Sequence, residues 1–598
     1  MAKELMKRSE VKEQDTWALA DMYATVQDWE QALEKARALA EQAEGFKDTV
    51  TDSAANLLKC LELFAECEQM LDVAYSYAHR ASDVDTTDME NQARAQRVTS
   101  LVVEFQEKLA FLEPAILSLD EGTLAEYRSQ EPGLAHYDIH IQEIARTKAH
   151  CLSAEMEALL ASAGEMRHTP ENVYSMFNNA DLKFPEITDE NGEQVRITSG
   201  RFVPMQCSSD RRVRKDSFEK LYHTYQGFEN TLAAAYSGQV KQLMFSAKAR
   251  KYSSTLEAAV DRNNVSPKVY ENLLEVVHEN LDKLHRYVSL RKRCLGVEEL
   301  HMYDIYVPMV ADADRKVPFE EAKETVLEAL APLGERYVSI VKEGFENRWI
   351  DVYENQGKRS GAYSAGVYGV HPYVLLNYNE KLDDMFTLAH EMGHAMHSYL
   401  SNETQPYIYA NYRIFVAEVA STCNEVLLME YLLNKTTDRR ERAYLINHFL
   451  DSFKGTVYRQ AMFAEYEKIT NAMAEAGESL TADALRKVYY DLNCKYYGPD
   501  MVSDEEIGWE WCRIPHFYMN FYVYQYATGF SAAVAIAKRI RQEGQPAVEE
   551  YLRFLSGGCT QDPVSLLKIA GVDIGKKEPI QAGLDLFGEL LDEMEQLI

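Results

Sequence analysis

The sequence predicts a mainly α-helical protein. Apolar residues recur with the period of an amphipathic helix over almost all of residues 1–180 and again from about residue 200. Strand-like patterns are confined to two short segments, residues 182–198 and 361–378. With 598 residues, 46% of them hydrophobic and 26% charged, the chain has an ordinary globular composition but is too long for one core. We therefore expect two regions, residues 1–198 and 199–598.

The N-terminal region is predicted to be helical and to end in a hairpin. Helical spacing of apolar residues runs without interruption through residues 88–119. Two polar strand-like runs, residues 182–188 and 193–198, flank the dipeptide Asn191-Gly192, which favours a tight hairpin turn. We expect this hairpin to mark the passage to the second region, which is again mostly helical.

The run His390-Glu391-Met392-Gly393-His394 is the most informative motif. Apolar residues at helical spacing surround it, and Asp383 and Asp384 precede it as acids of a first helical turn. Two histidines four residues apart share one face of a helix, and a glutamate beside the first can reach a water bound between them. The motif therefore predicts a zinc-peptidase site, although a core helix with two hydrogen-bonded histidines is also compatible with it.

A third metal ligand is sought on another buried helix, because a catalytic zinc usually takes three protein ligands and keeps one position for water. Glu418 is the candidate, since it lies in the apolar, helix-like segment of residues 414–430. Glu425 follows two helical turns later on nearly the same face, which suits a hydrogen bond to one metal-binding histidine. The alternative is that both acids lie on a solvated stripe.

His397 is a possible competitor for the metal, because it follows His394 by three residues. One helix presents two ligands to a small ion more easily than three, so we interpret His397 as a neighbour of the site or a structural residue. The metzincin pattern requires glycine at position 397 and histidine at position 400, where this chain has His397 and Leu400. That class is excluded.

Five segments carry a resemblance to a known family: Gly357–Tyr363, Pro372–Asn377, His390–Tyr399, Phe415–Glu425 and Ile514–Gly529. By these segments, the sequence resembles the oligoendopeptidase F family of thimet-oligopeptidase-like (M3) metallopeptidases. The resemblance implies His390, His394 and Glu418 as zinc ligands and Glu391 as the general base. It also implies two helical halves flanking a deep channel that admits short unfolded peptides, with one zinc ion on its floor and a small sheet beside the zinc helix.

The segment after Ile514 is where the resemblance implies the groups that stabilise the transition state. They are His516 and a tyrosine, with Tyr522 and Tyr524 favoured and Tyr518 behind them. An imidazole N–H and a phenol O–H are the right donor types for a developing oxyanion. On residue content alone, the same segment also fits a buried aromatic helix.

Peptide binding is expected at the strand-like segment 361–378, which leads directly into the zinc helix. A strand edge beside the metal could pair with an extended peptide backbone with little dependence on side chains. We expect Gly366, His371 and Tyr373 to contact the substrate there, and Tyr518 of the later segment to contact it as well. An ordinary connecting hairpin is the alternative.

Charge and cysteine usage limit the partners. The net charge of −32 argues against nucleic acid, because phosphate binding needs clustered Lys and Arg, and it would attract basic peptides instead. The nine cysteines are odd in number and contain no Cys-x-x-Cys pair, which disfavours a disulfide framework and a thiolate metal site. No run of 18 apolar residues and no apolar export segment is present, so we expect a cytoplasmic protein without a membrane partner.

The predicted function is zinc-dependent hydrolysis of internal peptide bonds in short oligopeptides by a metal-activated water, with residues 199–598 as the catalytic domain. A zinc carboxypeptidase or aminopeptidase on the same scaffold is the first alternative, and it would need a charged group to bind a peptide terminus. A non-enzymatic helical scaffold with a vestigial site is the second. The sequence does not predict an oligomeric state.

Overall fold

The computed structural model describes residues 5–310 and 316–598. Helices dominate it and its strands have two or three residues each, so the mainly α prediction is confirmed. Contacts divide the chain into two compact units, each built from three separated segments. The linear division at residue 198 stays a prediction. Unit 1 comprises Met1–Cys151, Arg315–Tyr431 and Ile536–Gly571, and unit 2 comprises Leu152–Asp314, Leu432–Ala535 and Val572–Ile598.

Unit 1 begins with long helices packed around their own apolar core. Thr25 caps the first helix by accepting the amide of Asp28, whose carboxylate accepts the amide of Thr25 in return. Trp29, Leu33 and Leu71 are buried in the core. The α-helices that lie wholly in unit 1 are Val26–Glu44, Ala54–Asp83, Met89–Leu109, Leu112–Ser118, Glu121–Gln130, Asp138–Arg146, Phe319–Ala329, Glu335–Glu346, Leu382–Thr404, Tyr407–Ala410, Gln545–Leu555 and Pro563–Ile569.

A small sheet precedes the helix that carries the metal motif. Tyr363–Ala365 pairs antiparallel with Tyr373–Leu375, which confirms the predicted hairpin. Ile350–Asp351 adds a parallel strand on the other side of Tyr373–Leu375 and was not predicted, because two residues are too few to show alternation. Tyr363–Ala365 is therefore an edge strand, and it packs against the helix Leu382–Thr404.

Two helices carry the predicted metal ligands, and both are where the sequence predicts them. The metal helix is Leu382–Thr404, and its first turn is closed by the Asp384 carboxylate, which accepts the amide of Lys381. The acid helix is Ile414–Lys435 and continues from unit 1 into unit 2. Their backbones approach closely at Gly393, where a Cβ would lie 2.5 Å from the Cα of Ser421.

Unit 2 is also helical. The predicted hairpin is present as strands Glu186–Thr188 and Gln194–Arg196, with Gly192 at a φ of 85° in the turn. Leu300–His301 and Met501–Val502 form a short parallel pair. The helix Tyr524–Glu543 starts in unit 2 and ends in unit 1. The remaining α-helices are Ala154–Ser162, Gly164–Arg167, Thr169–Met176, Ser199–Gln206, Arg211–Gln226, Glu229–Ala249, Thr255–Val260, Pro267–Glu279, Leu281–Leu295, Arg439–Phe453, Arg459–Glu475, Ala482–Tyr497 and Glu578–Leu597.

Within residues 5–310 and 316–598, no helix combines the length and the apolar character that crossing a membrane requires. The cytoplasmic location stays a prediction.

Candidate active site

The three predicted metal ligands converge in unit 1. His390 Nε2 lies 3.1 Å from His394 Nε2 and 3.4 Å from Glu418 Oε2. His394 Nε2 lies 3.7 Å from the same carboxylate oxygen. Among the described residues, this is the cluster of histidine, cysteine and acidic side chains whose donor atoms could hold a metal ion.

These separations fit a tetrahedral ion. Zinc–nitrogen and zinc–oxygen bonds of about 2.1 Å place neighbouring ligand atoms about 3.4 Å apart. The three observed distances of 3.1, 3.4 and 3.7 Å lie around that value. Three protein ligands also leave a fourth position for water or substrate, which is the arrangement of a catalytic rather than a structural zinc site.

Each imidazole is oriented by a partner on the acid helix. His390 Nδ1 lies 2.6 Å from Glu425 Oε1, which favours a proton on Nδ1 and would leave Nε2 as the lone-pair nitrogen when a metal ion replaces the second proton. His394 makes a hydrogen bond to the backbone of Ala417. Glu425 thus contacts a predicted ligand, as its position in the sequence indicates, and both imidazoles are held in the way that metal ligands require.

Charge is concentrated in this cluster. Burial opposes protonation of His390, but the Glu425 and Glu418 carboxylates outweigh it and hold the pKa of His390 well above its usual value. Burial and the neighbouring His390 lower the pKa of His394 to about 4. The pKa of Glu418 is lowered, because the two histidines outweigh its burial. The cluster is therefore built for a positive charge between its members.

Glu391 is a buried carboxylate beside the ligands. It is 6% exposed, and its Oε2 has no hydrogen-bond partner among the described residues. Burial raises the pKa of Glu391 to about 7. The neighbouring His390 acts to lower this pKa, and the carboxylates of Glu418 and Glu425 act to raise it. A carboxylate whose pKa lies near neutrality can both accept and return a proton, as a general base must.

His397 lies outside the ligand cluster. Its ring is 1% exposed and stacks parallel on the Tyr412 ring, with centroids 3.6 Å apart. Burial lowers the pKa of His397 to about 3, so the ring is neutral. Tyr412 donates or accepts a hydrogen bond at 3.0 Å to Ser398 on the metal helix. Tyr412 lies in the loop before the acid helix, so its stacking on His397 packs that loop against the metal helix.

The three substrate contacts expected in segment 361–378, Gly366, His371 and Tyr373, differ in accessibility. Gly366 lines a cavity of about 340 Å³ together with Ser364, Ser398 and Tyr412. His371 is fixed between the Trp349 ring and the Asp21 carboxylate, 3.0 Å from its Nε2.

Tyr373 is fully buried in the core. Its ring meets the Trp17 ring edge-on, and its hydroxyl donates to the Ala18 carbonyl. That burial leaves the side chain no surface for a peptide, so Tyr373 is not part of the proposed site.

In unit 2, His516 is grouped with two tyrosines. Its ring centroid lies 6.3 Å from that of Tyr522 and 6.0 Å from that of Tyr526, and the two tyrosine rings are 5.3 Å apart. Tyr526 Oη is 3.5 Å from His516 Nε2. All three side chains are half-buried. Burial lowers the pKa of His516, which favours a neutral ring with one N–H to donate.

The other two tyrosines of this segment point into the core. Tyr524 is 1% exposed and packs against Tyr270, and Tyr518 is 6% exposed and stacks on Tyr174. Sequence reasoning did not single out Tyr526. Its place in the same matching segment, two residues beyond Tyr524, is the signal that could have identified it.

Comparison with known proteins shows the family to which the chain belongs. The model of peptidase family M3 matches residues 204–586, and the N-terminal model described as oligopeptidase F matches residues 116–184. The chain belongs to peptidase family M3. It is 47% identical to the oligopeptidase PepF of Bacillus subtilis, over 100% of this chain and 89% of that protein. It is 41% identical to an oligoendopeptidase F homolog of Lactococcus lactis, over 99% of this chain and 98% of the relative.

Solved structures agree with the M3 assignment. A putative peptidase from Chlamydophila abortus superposes with a TM-score of 0.91 at 35% identity, covering 100% of both chains. The oligoendopeptidase-F of Enterococcus faecium gives 0.76 at 40% identity, covering 96% of this chain and 99% of the other. As a member of the M3 family with these relatives, the chain is a metalloendopeptidase.

Proposed function

We propose that this chain is a zinc-dependent endopeptidase that cleaves internal bonds of short unfolded peptides. The observation that carries the proposal is the ligand cluster of His390, His394 and Glu418 beside the buried carboxylate of Glu391. Nitrogen and carboxylate ligands in this number favour zinc. The names of the relatives, oligopeptidase and oligoendopeptidase F, support short peptides as substrates.

The mechanism assigns a proton-transfer role to Glu391. When bound, zinc supplies a Lewis acid that polarises a carbonyl and lowers the pKa of water. Glu391 accepts the proton of the attacking water and passes it to the leaving amine, for which a pKa near 7 is suited. Glu425 keeps the His390 tautomer that leaves Nε2 free for the ion.

The family resemblance implies that His516 and a nearby tyrosine donate hydrogen bonds to the developing oxyanion. His516, Tyr522 and Tyr526 offer an imidazole N–H and two phenol O–H groups on half-buried side chains. We assign Tyr526 with Tyr522 in preference to Tyr524, because the Tyr524 ring is buried against Tyr270. One such donor is typically worth about 3 kcal/mol, or at least about a hundredfold in turnover.

The substrate backbone is assigned to the edge strand Tyr363–Ala365. An extended peptide can add to such an edge through main-chain hydrogen bonds, which gives affinity without strong side-chain selection. The cavity beside Gly366 and Ser398 is polar and adjoins both this strand and the metal helix. It is suited to accept one side chain of the peptide.

The test is cleavage of an internally quenched peptide whose two ends are blocked, by wild type and by Glu391→Gln. We expect the zinc-loaded wild type to cleave it, which an aminopeptidase or carboxypeptidase cannot do. Glu391→Gln should bind zinc as wild type does but lose at least about a hundredfold in kcat, because proton transfer contributes that much. Full activity of Glu391→Gln, or cleavage only of peptides with free ends, would overturn the proposal.

A further inference from the structure

The backbone between His516 and Tyr522 is strained. Asn520 and Phe521 have φ values of 53° and 59°, in the left-handed region. Asparagine tolerates this conformation, but phenylalanine rarely adopts it, because its Cβ then lies too close to the following carbonyl oxygen. Such conformations persist when the surroundings hold them, and they are concentrated at functional sites.

Two buried side chains from other helices hold this turn. Glu467, 1% exposed, accepts the amide N–H of Phe521 at 2.8 Å. Gln239, 4% exposed, donates to the Tyr518 carbonyl and to the side-chain oxygen of Asn520, both at 3.0 Å. The hydrogen bonds thus fix the peptide group between Asn520 and Phe521, the Asn520 side chain and the Tyr518 carbonyl two residues before the pair.

The turn separates the buried ring of Phe521 from the half-buried rings of His516 and Tyr522. The Phe521 ring is 2% exposed and meets the Tyr270 ring, whose hydroxyl donates to the Ala464 carbonyl in the helix that carries Glu467. His516 comes before the turn and Tyr522 directly after it, and their rings lie nearly parallel with centroids 6.3 Å apart. Their mutual position therefore depends on the conformation of Phe521.

We propose that Glu467 is a positioning residue for catalysis, which holds the Asn520–Phe521 turn so that Tyr522 and Tyr526 stay beside His516. This inference rests on the proposed function, which makes His516 a transition-state donor. Without an acceptor at position 467, the buried Phe521 amide loses its partner and the turn loses the contact that offsets its strain. The backbone then relaxes and moves Tyr522 away from His516.

The protonation state of Glu467 indicates which substitution preserves its hydrogen bond. Burial raises the pKa of this carboxyl to about 8, against the hydrogen bond from Phe521, so it is largely protonated at neutral pH. A glutamine is nearly isosteric with a protonated glutamate and keeps a carbonyl oxygen to accept the amide. Leucine has a similar volume and has no acceptor.

The experiment measures kcat, KM and bound zinc for Glu467→Leu, Glu467→Gln and the control Glu465→Gln. Glu465 lies two residues away on the same helix, is nearly as buried, and bonds His278, Lys495 and Tyr496 instead of the turn. We expect Glu467→Leu to lose ten- to hundredfold in kcat with KM and zinc content within twofold of wild type. Glu467→Gln should restore kcat to within threefold, and Glu465→Gln should lower the melting temperature without lowering kcat of the folded enzyme.

A double-mutant cycle with His516→Ala separates positioning from general stability. If Glu467 acts through His516, Glu467→Leu should add less than twofold to the loss already caused by His516→Ala. A fully additive loss, or a Glu467→Leu enzyme with wild-type kcat, would overturn the positioning role. A His516→Ala enzyme with wild-type kcat would instead overturn the assignment of His516 in the proposed function.

Discussion

Glu425 shows how one side chain prepares a metal ligand. Its carboxylate lies 2.6 Å from His390 Nδ1 and so fixes both the ring orientation and the nitrogen that carries the proton. Partners of this kind typically contribute 10- to 100-fold to metal affinity. They do so without touching the ion.

Glu425→Ala should therefore weaken zinc binding about 10- to 100-fold while leaving all three ligands in place. The dissociation constant can be measured by competition with a chromogenic chelator. Glu425→Gln is the matched control, since its amide oxygen can still accept from His390 Nδ1, and it should bind more tightly than the alanine variant. Equal affinity in wild type and Glu425→Ala would show that the carboxylate does not orient the ligand.

Glu467 gives a pH-dependent contribution to stability. Its folded-state pKa of about 8 lies above the value of about 4.3 for an unfolded glutamate. Between these values the folded chain keeps a proton that the unfolded chain has lost, so stability falls as pH rises. The expected slope is about 1.4 kcal/mol per pH unit for this one group.

Urea unfolding from pH 5 to pH 8 measures this contribution as the difference between wild type and Glu467→Gln. We expect the glutamine variant to become progressively more stable than wild type as the pH rises, because it has no proton to lose. A difference that stays constant over this range would contradict a raised pKa for Glu467.

At the scale of elements, the site depends on the close packing of the metal helix and the acid helix. A Cβ at Gly393 would lie 2.5 Å from the Cα of Ser421 and 2.6 Å from the carbonyl oxygen of Ala420. These are backbone atoms and cannot rotate away. The absence of a side chain therefore allows Glu418 to approach the two histidines.

Gly393→Ala should push the two helices apart. We expect a loss of about 2 kcal/mol or more in unfolding free energy and a weaker zinc affinity, although alanine favours the helix itself. Thermal unfolding and zinc titration measure the two effects. Gly200→Ala is the control, since that glycine is helical and a Cβ there meets nothing within 4 Å. Unchanged zinc affinity in Gly393→Ala would contradict the packing argument.

The sequence predicted some elements and not others, for physical reasons. The metal and acid helices have long apolar periodicity, and the hairpin near Gly192 has a specific turn dipeptide. The strand Ile350–Asp351 is too short to show a period. The choice of Tyr526 over Tyr524 depends on the burial of Tyr524 against Tyr270, which is set by tertiary packing and not by a local sequence pattern.

At the scale of the whole molecule, each unit is assembled from distant parts of the chain. Residues 152–198 belong to unit 2, although they precede the predicted boundary at residue 198. Sequence patterns are local and do not show which distant segments share a core. Variants are therefore best studied in the full chain, since a cut after residue 198 would remove part of each unit.

The net charge of −32 acts over the whole surface. It attracts cations, including metal ions and basic peptides, but it does not select a site. The choice of metal site depends on the local geometry of His390, His394 and Glu418, whose three donor atoms lie 3.1 to 3.7 Å apart.

The most direct test is an anomalous difference map, collected at the zinc absorption edge from crystals of the full chain loaded with zinc. We predict one strong peak per chain, about 2.1 Å from His390 Nε2, His394 Nε2 and a carboxylate oxygen of Glu418. Crystals of Glu391→Gln should give the same peak. A peak at other residues, or none in zinc-loaded crystals, would contradict the metal centre on which the account depends.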